Sequence, residues 1–266
     1  MRSDLLPEYR EPGTFQASDV REGSRYELVD GHPLYRLPAS GSLGRYVWLG
    51  TMVLGADPEV EEVGTDVGYT ARPKSLRAPD IAVGNVPDRP GWVPGAPRLA
   101  VEYADRGQDE ADLQEKIQEF LSAGTEAIWV VRLVGPRRVE VYTREGPIRV
   151  YTAGEELRAP GILRNPVPVE ALYNRDAALD TTLRNLLQRH GYDSLDAVRA
   201  EGHAEGQAEG RVSGLRDALR QIAAARGWAL SPAQQDRLRA TSESATLERW
   251  LTEAALAQGP DDLVSA

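Results

Sequence analysis

The chain has 266 residues, with 31 Lys and Arg against 41 Asp and Glu and a formal net charge of −10. At 41% hydrophobic and 27% charged residues it has the make-up of a folded protein, long enough for one large domain with an appendage. It holds no cysteine, which excludes disulfide frameworks, thiolate zinc sites, iron–sulfur clusters and thiol nucleophiles; His32, His190 and His203 lie at no metal-ligand spacing. The acidic balance argues against indiscriminate coating of nucleic acid but leaves room for a local basic groove. No run approaches the roughly 18 apolar residues that a membrane span needs. The opening MRSDLLPEYR is too polar for a secretory leader, so the expectation is a cytoplasmic protein without a membrane segment.

Residues 1–25 read as a polar, turn-rich segment, only partly ordered. YELVDGHPLYR (26–36) sets two short apolar runs around Asp30-Gly31, a dipeptide suited to a type I′ turn, and predicts a β-hairpin. Gly41–Gly55 spaces Leu43, Val47, Met52 and Leu54 as a helix does, with Trp48 expected in the core. VEEVGTDVGYTA (59–70) reads as one strand or a hairpin, Ile81–Val83 as a strand after Ala78-Pro79-Asp80, and RPGWVPGAP as a loop. Arg98–Tyr103 is a buried strand by its apolar run. DEADLQEKIQEFLSAG (109–124) is an amphipathic helix with Leu113, Ile117, Phe120 and Leu121 as its apolar stripe and Gly124 as its stop. AIWVVRLV (127–134) and RVEVYT (138–143) are strands around Gly135-Pro136, with Trp129 in the core. This order predicts an α/β domain built on a mixed sheet.

Pro160–Pro168 reads as a loop and Val169–His190 as one or two helices. The chain therefore divides into a polar segment (1–25), a main domain (26–195) and a tail (196–266). The tail opens on AEGHAEGQAEG (200–210), whose glycines recur every fourth residue through Gly214. This repeat fits a helical dimer stalk or a flexible tether, and the Ala, Glu and Gln between the glycines favour the helix. Short amphipathic helices follow at 216–226, 232–240 and 246–257.

Three residues stand out chemically. Asp80 begins a strand, Glu102 interrupts the apolar run LAVEY, and Lys116 borders the stripe of the next helix. A carboxylate in a Val- and Ala-rich strand costs several kcal/mol unless it is paired or metal-bound. Were Asp80 and Glu102 on adjacent strand ends, a divalent cation would relieve their repulsion, and oxygen ligands favour Mg²⁺ or Mn²⁺ over zinc. Taken singly, each residue also has a plain structural role. Asp80 can end a turn, Glu102 can pair with Arg98 or Arg132, and Lys116 can pair with Asp112 at i,i+4. No nucleophile elbow, Walker loop or dinucleotide fingerprint is present.

The ordered series Tyr26-Glu27-Leu28-Val29-Asp30-Gly31, Ala78-Pro79-Asp80-Ile81-Ala82-Val83, Pro97-x-Leu99-x-Val101-Glu102, Asp112-Leu113-x-x-Lys116 and Gly124–Val130 into Val139-x-Val141-Tyr142 resembles the Uma-two-type (DUF820-like) restriction endonuclease family of the PD-(D/E)XK nuclease superfamily. The resemblance implies a restriction-endonuclease-like mixed sheet flanked by helices, with an α-helical C-terminal tail. It also implies a Mg²⁺- or Mn²⁺-dependent endonuclease that hydrolyses DNA, often as a homodimer. Asp80, Glu102 and the backbone carbonyl of Tyr103 would hold the metal, Glu27 would be an additional ligand, and Lys116 would sit beside the attacking water and scissile phosphate. Arg72, Lys74 and Arg77, clustered before Asp80, and Trp92 in its Pro/Gly loop are candidate DNA contacts. The chain departs from the common pattern at Ala104, where the superfamily's lysine usually stands, at Asp105 and Phe120, and at Ser40-Gly41-Ser42, which lacks the family's histidine. The acidity, Asp105 and the tail leave a second reading open: an inactive nuclease fold used for nucleic-acid binding or protein assembly.

Overall fold

The computed structural model describes Glu11 and residues 13–107 and 109–264. It divides into two compact units, residues 1–193 and 194–266.

In the first unit, β1 (Tyr26–Val29) and β2 (His32–Tyr35) form the expected hairpin, with Asp30 at φ 46° and Gly31 at φ 79°. Those two positive angles are what a type I′ turn demands. The elements that follow are α1 (Gly41–Gly55), β3 (Val63–Gly64), β4 (Tyr69–Thr70), β5 (Ile81–Val83), β6 (Val93–Pro94), β7 (Leu99–Ala104) and α2 (Glu110–Ala123). Then come β8 (Ala127–Arg132), β9 (Arg138–Thr143), β10 (Arg149–Thr152), β11 (Glu156–Leu157), β12 (Val167–Pro168) and α3 (Arg175–Arg189). The central sheet runs β10-β9-β8-β7-β5-β3. Only β7 and β8 are parallel, joined through α2; every other neighbouring pair is antiparallel. This is the mixed sheet flanked by helices that the sequence predicts.

The two-residue period of the strands divides the core into two layers. Leu99, Val101 and Tyr103 of β7 and Trp129 and Val131 of β8 pack with Leu49, Val53 and Leu54 of α1. Ala100 and Ala104 of β7 and Ile128 and Val130 of β8 face the other way, onto Leu113, Ile117 and Phe120 of α2. Asp109 caps α2 by accepting from Ala111 N and Asp112 N, and Gly124 ends it at φ 115°, in left-handed backbone that favours glycine.

Gly50 sits mid-helix in α1 because the helix closes directly onto the sheet there. A Cβ at this position would collide with the Tyr103 hydroxyl and stand 2.8 Å from Ile81 Cδ1. Gly50→Ala is therefore expected to destabilise the fold by about 1–3 kcal/mol in urea titration. Helix propensity alone would instead stabilise by about 1 kcal/mol, and a gain of that size would contradict the close packing.

Several expectations are corrected. Trp48 is 57% exposed rather than in the core, whereas Trp129 is fully buried. Residues 59–70 are not one strand: Asp66, at φ 54°, turns the chain so that β3 joins the central sheet while β4 pairs with β6. The segment before the hairpin is not only a polar lead-in, because Phe15, Ala17 and Val20 are buried with Leu28 and Leu76. Residues 1–10 and 12 lie outside the described residues. The pairs β10–β9 and β11–β12 went unanticipated; β10 is largely exposed, so it carries no alternation to read. The region 169–190, read as one or two helices, does hold two helical segments, a 3₁₀ turn (Val169–Leu172) and α3.

The second unit contains α4 (Leu195–Ala225), α5 (Pro232–Ala240) and α6 (Ser244–Leu256). Its core is Leu219, Ala223, Leu238, Leu247, Trp250, Ala254 and Leu263. The glycine-repeat run is helical throughout, continuous with the segment expected to start at 216, and its ten residues 201–210 are exposed. Among the described residues, no helix is long and apolar enough to cross a membrane.

Candidate active site

The register of the sheet carries Asp80 and Glu102 to the same place. β5 and β7 pair Ile81 with Val101 and Ala82 with Ala100. One step further along that antiparallel ladder, Asp80 stands opposite Glu102. Both follow the face of Ala82 and Ala100, toward α2, and the small side chains of Ala100 and Ala104 leave room for the glutamate there. Asp80 Oδ2 accepts a 2.6 Å hydrogen bond from Tyr103 N.

From α2, Lys116 reaches the same point. Its Nζ donates to the Ala78 carbonyl at 2.6 Å and lies 2.7 Å from Glu102 Oε1 and 3.5 Å from Glu27 Oε1. Lys116 and Glu102 are 5% and 8% exposed, so the pairing replaces water almost completely. The particular pairings weighed for Glu102 and Lys116 are not the ones formed among the described residues: Arg98 pairs with Glu126, Arg132 with Glu110 and Glu140, and Asp112 with Arg77 and Arg36.

Burial dominates the electrostatics. It pushes the Glu102 carboxyl up to about 8, with Lys116 pulling down and Asp80 and Glu27 pushing further up. Burial also raises Asp80, against the opposing pull of Lys116 and the Tyr103 N–H. Lys116 is raised, because Glu102 and Glu27 together outweigh the burial that would lower it. Glu27 goes the other way: burial would raise it, but Lys116, Arg36 and Arg77 bring it down to about 2.

Both oxygens of Glu27, expected as an additional metal ligand, face cations. One oxygen faces Lys116, and the other takes Arg36 Nη2 at 2.9 Å and Arg77 Nη1 at 3.2 Å. Arg77 is corrected as a DNA contact: it is 1% exposed and bonds Asp112 at 2.9 Å and Glu119 at 2.6 Å besides Glu27. Trp92 is corrected as well, since its Nε1 donates to the Ala17 and Val20 carbonyls and its ring packs on Gly68. Arg72 and Lys74 remain exposed, Arg72 beside Glu119 at 3.4 Å and Lys74 donating to the Gly13 carbonyl at 2.9 Å.

Sequence reasoning missed Arg36, Asp66 and Glu119 as neighbours of this cluster. Asp66 carried a legible signal, a lone aspartate in VGTDVG turned by left-handed backbone, and its N–H reaches the Pro79 carbonyl at 3.2 Å. Burial and the nearby Glu27 raise its carboxyl. Arg36 carried none, because its partners come from β1 and α2.

Two comparisons define the class. The crystal structure of a putative nuclease belonging to DUF820 from Anabaena variabilis ATCC 29413 matches with a TM-score of 0.53 at 15% identity, covering 62% of this chain and 99% of that one. The likeness shows a shared nuclease-type fold. The model of the Uma2 family, described as putative restriction endonuclease, matches residues 12–167, more than half of the chain, and the chain belongs to that family. No curated protein matches it.

Proposed function

We propose that this protein is a divalent-metal-dependent endonuclease that hydrolyses DNA phosphodiester bonds at Asp80, Glu102 and Lys116. The observation that carries this reading is the convergence of two carboxylates and one ammonium, from β5, β7 and α2, in a chain of a nuclease family.

The residues fit a hard cation. Glu102 presents a buried carboxyl beside that of Asp80, with Lys116 Nζ 2.7 Å from Oε1. The donors are all oxygen, and around them carboxylates (Glu27, Asp66, Asp80, Glu102, Asp112, Glu119) outnumber cations (Arg36, Arg72, Arg77, Lys116). Among the described residues, no three His, Cys, Asp or Glu form a ready metal group. The coordinating set would therefore be Asp80 and Glu102 completed by the Tyr103 carbonyl and solvent, as suits Mg²⁺ or Mn²⁺. A bound cation would lower the pKa of a coordinated water and offset charge on the phosphoryl oxygens. Lys116, held by Ala78 and Glu27, presents its charge where the phosphate becomes more negative. Asp80 keeps its orientation through Tyr103 N. Arg72 and Lys74 are exposed cations on the approach to Asp80, suited to the DNA backbone. A homodimer would bring two such sites to two strands.

The test is incubation of the full chain with supercoiled plasmid. Nicking and linearisation with Mg²⁺ or Mn²⁺ and none with EDTA are expected; intact plasmid with folded protein and metal would contradict the reading. A pH dependence follows from Glu102. Its carboxyl is neutral below about 8 and must ionise to bind metal. Nicking at sub-saturating Mg²⁺ should thus rise by up to about tenfold per pH unit and level off above about 8. A profile flat from about 6 to 9 would show that ionisation of Glu102 does not limit metal binding in that range.

The Lys116–Glu102 pair also supports a second reading, in which the two groups neutralise each other and the nuclease fold serves nucleic-acid binding or assembly without cleavage. Metal binding separates the two, because a self-neutralised pair takes up no cation.

A further inference from the structure

Three cations bond Glu27, and they differ in what they leave open. Lys116 is buried, with its Nζ against the Ala78 carbonyl, Glu102 and Glu27. Arg77 has a side chain only 2% exposed and is enclosed by carboxylates. Arg36, directly after β2, has a side chain 35% exposed. Its backbone N–H is fixed to the Arg25 carbonyl at 2.8 Å. A single nitrogen, Nη2, makes both of its ion pairs, to Glu27 Oε2 at 2.9 Å and Asp112 Oδ2 at 3.0 Å. Among the described residues, Nη1 has no acceptor, and Nε is buried without one.

We propose that Arg36 is a substrate-binding residue whose unpaired Nη1 donates to an oxygen of a backbone phosphate beside the scissile one. The assignment rests on the nuclease reading above and goes beyond it by naming a DNA contact. Glu27 is the link, with one oxygen facing Lys116 and the other Arg36, so the two cations sit on opposite ends of one carboxylate. Two carboxylates on Nη2 hold the guanidinium plane before substrate arrives, which lowers the ordering cost of binding and leaves Nη1, the other arm of the fork, aimed outward for a phosphate oxygen. The need is electrostatic. The surrounding carboxylates repel a polyanion, and of the three cations on Glu27 Arg36 alone has a side chain open to solvent, Lys116 and Arg77 being buried.

The experiment measures binding of a short DNA duplex to the full chain in EDTA, across a salt series, for the parent, Arg36→Gln and Arg36→Lys, alongside melting temperatures. For Arg36→Gln, affinity is expected to fall about tenfold. The slope of log affinity against log salt should become shallower by about 0.9, the share of one phosphate contact. Arg36→Lys should restore the slope while recovering only part of the affinity, since charge returns without the planar fork. A lowered melting temperature with an unchanged slope would overturn the proposal and leave Arg36 a structural residue, with the nuclease reading intact. A folded parent chain that neither binds DNA nor cleaves it with metal would overturn both.

Discussion

Glu102→Gln is expected to lower metal-dependent DNA cleavage by about 10³-fold or more while leaving the protein folded. The amide keeps the shape of the side chain but removes the negative charge on which both metal binding and the pairing with Lys116 depend. Two opposing effects hold stability nearly level. Burial raises the Glu102 carboxyl to about 8, so its ionised form works against folding. The sign follows from linkage: the penalty is absent below the unfolded value of about 4.3 and grows as pH rises toward about 8. Glutamine removes that penalty at neutral pH. Lys116 loses one partner but retains the Ala78 carbonyl and Glu27. The melting temperature should therefore move by only a few degrees, and a collapse in melting temperature parallel to the loss of activity would make Glu102 a structural residue. Asp80→Asn should act in the same way, because the amide oxygen can still accept from Tyr103 N.

The second large effect lies in stability. Arg77→Met is expected to cost about 3–5 kcal/mol, the usual penalty for removing one partner of a buried ion pair. Glu27, Asp112 and Glu119 all lose a bond to it; Arg36 still reaches the first two, which places the result toward the lower end. At roughly 2–4 °C per kcal/mol for a unit of this size, the melting temperature should drop by about 6–12 °C. The acid limb should change too. Glu27 is held down at about 2 by its cations, so its contribution is present above the unfolded value of about 4.3 and is lost as pH falls toward about 2. In the variant that contribution should be smaller and should be lost over a narrower range, ending at a higher pH. A phosphate-binding Arg77 would give the reverse pattern, an unchanged melting temperature and a shallower salt dependence of DNA binding.

What could be read before folding follows from how local each signal is. The hairpin was legible because Asp30-Gly31 encodes its turn in two residues, and α2 because its cap, stripe and glycine stop all lie within the same stretch. Glu102 was legible as a charge inside an apolar strand, and Asp80 and Lys116 through the ordered motifs around them. Arg77 misled for the opposite reason. Beside Arg72 and Lys74 it looks like part of a basic surface, and only α2, some 35 to 42 residues on, supplies the carboxylates that bury it. Trp92 misled in the same way, since its partners Ala17 and Val20 lie more than 70 residues earlier. Trp48 falls within a helix that was predicted with the right limits, but the face buried against the sheet is that of Leu49, Gly50 and Val53.

Calorimetric titration of the full chain with Mn²⁺ at a pH near 8 tests the central claim most directly. Saturable binding that is lost in both Asp80→Asn and Glu102→Gln, each still folded by circular dichroism, is the predicted result. No binding to the folded parent chain, or binding that survives both substitutions, would contradict it.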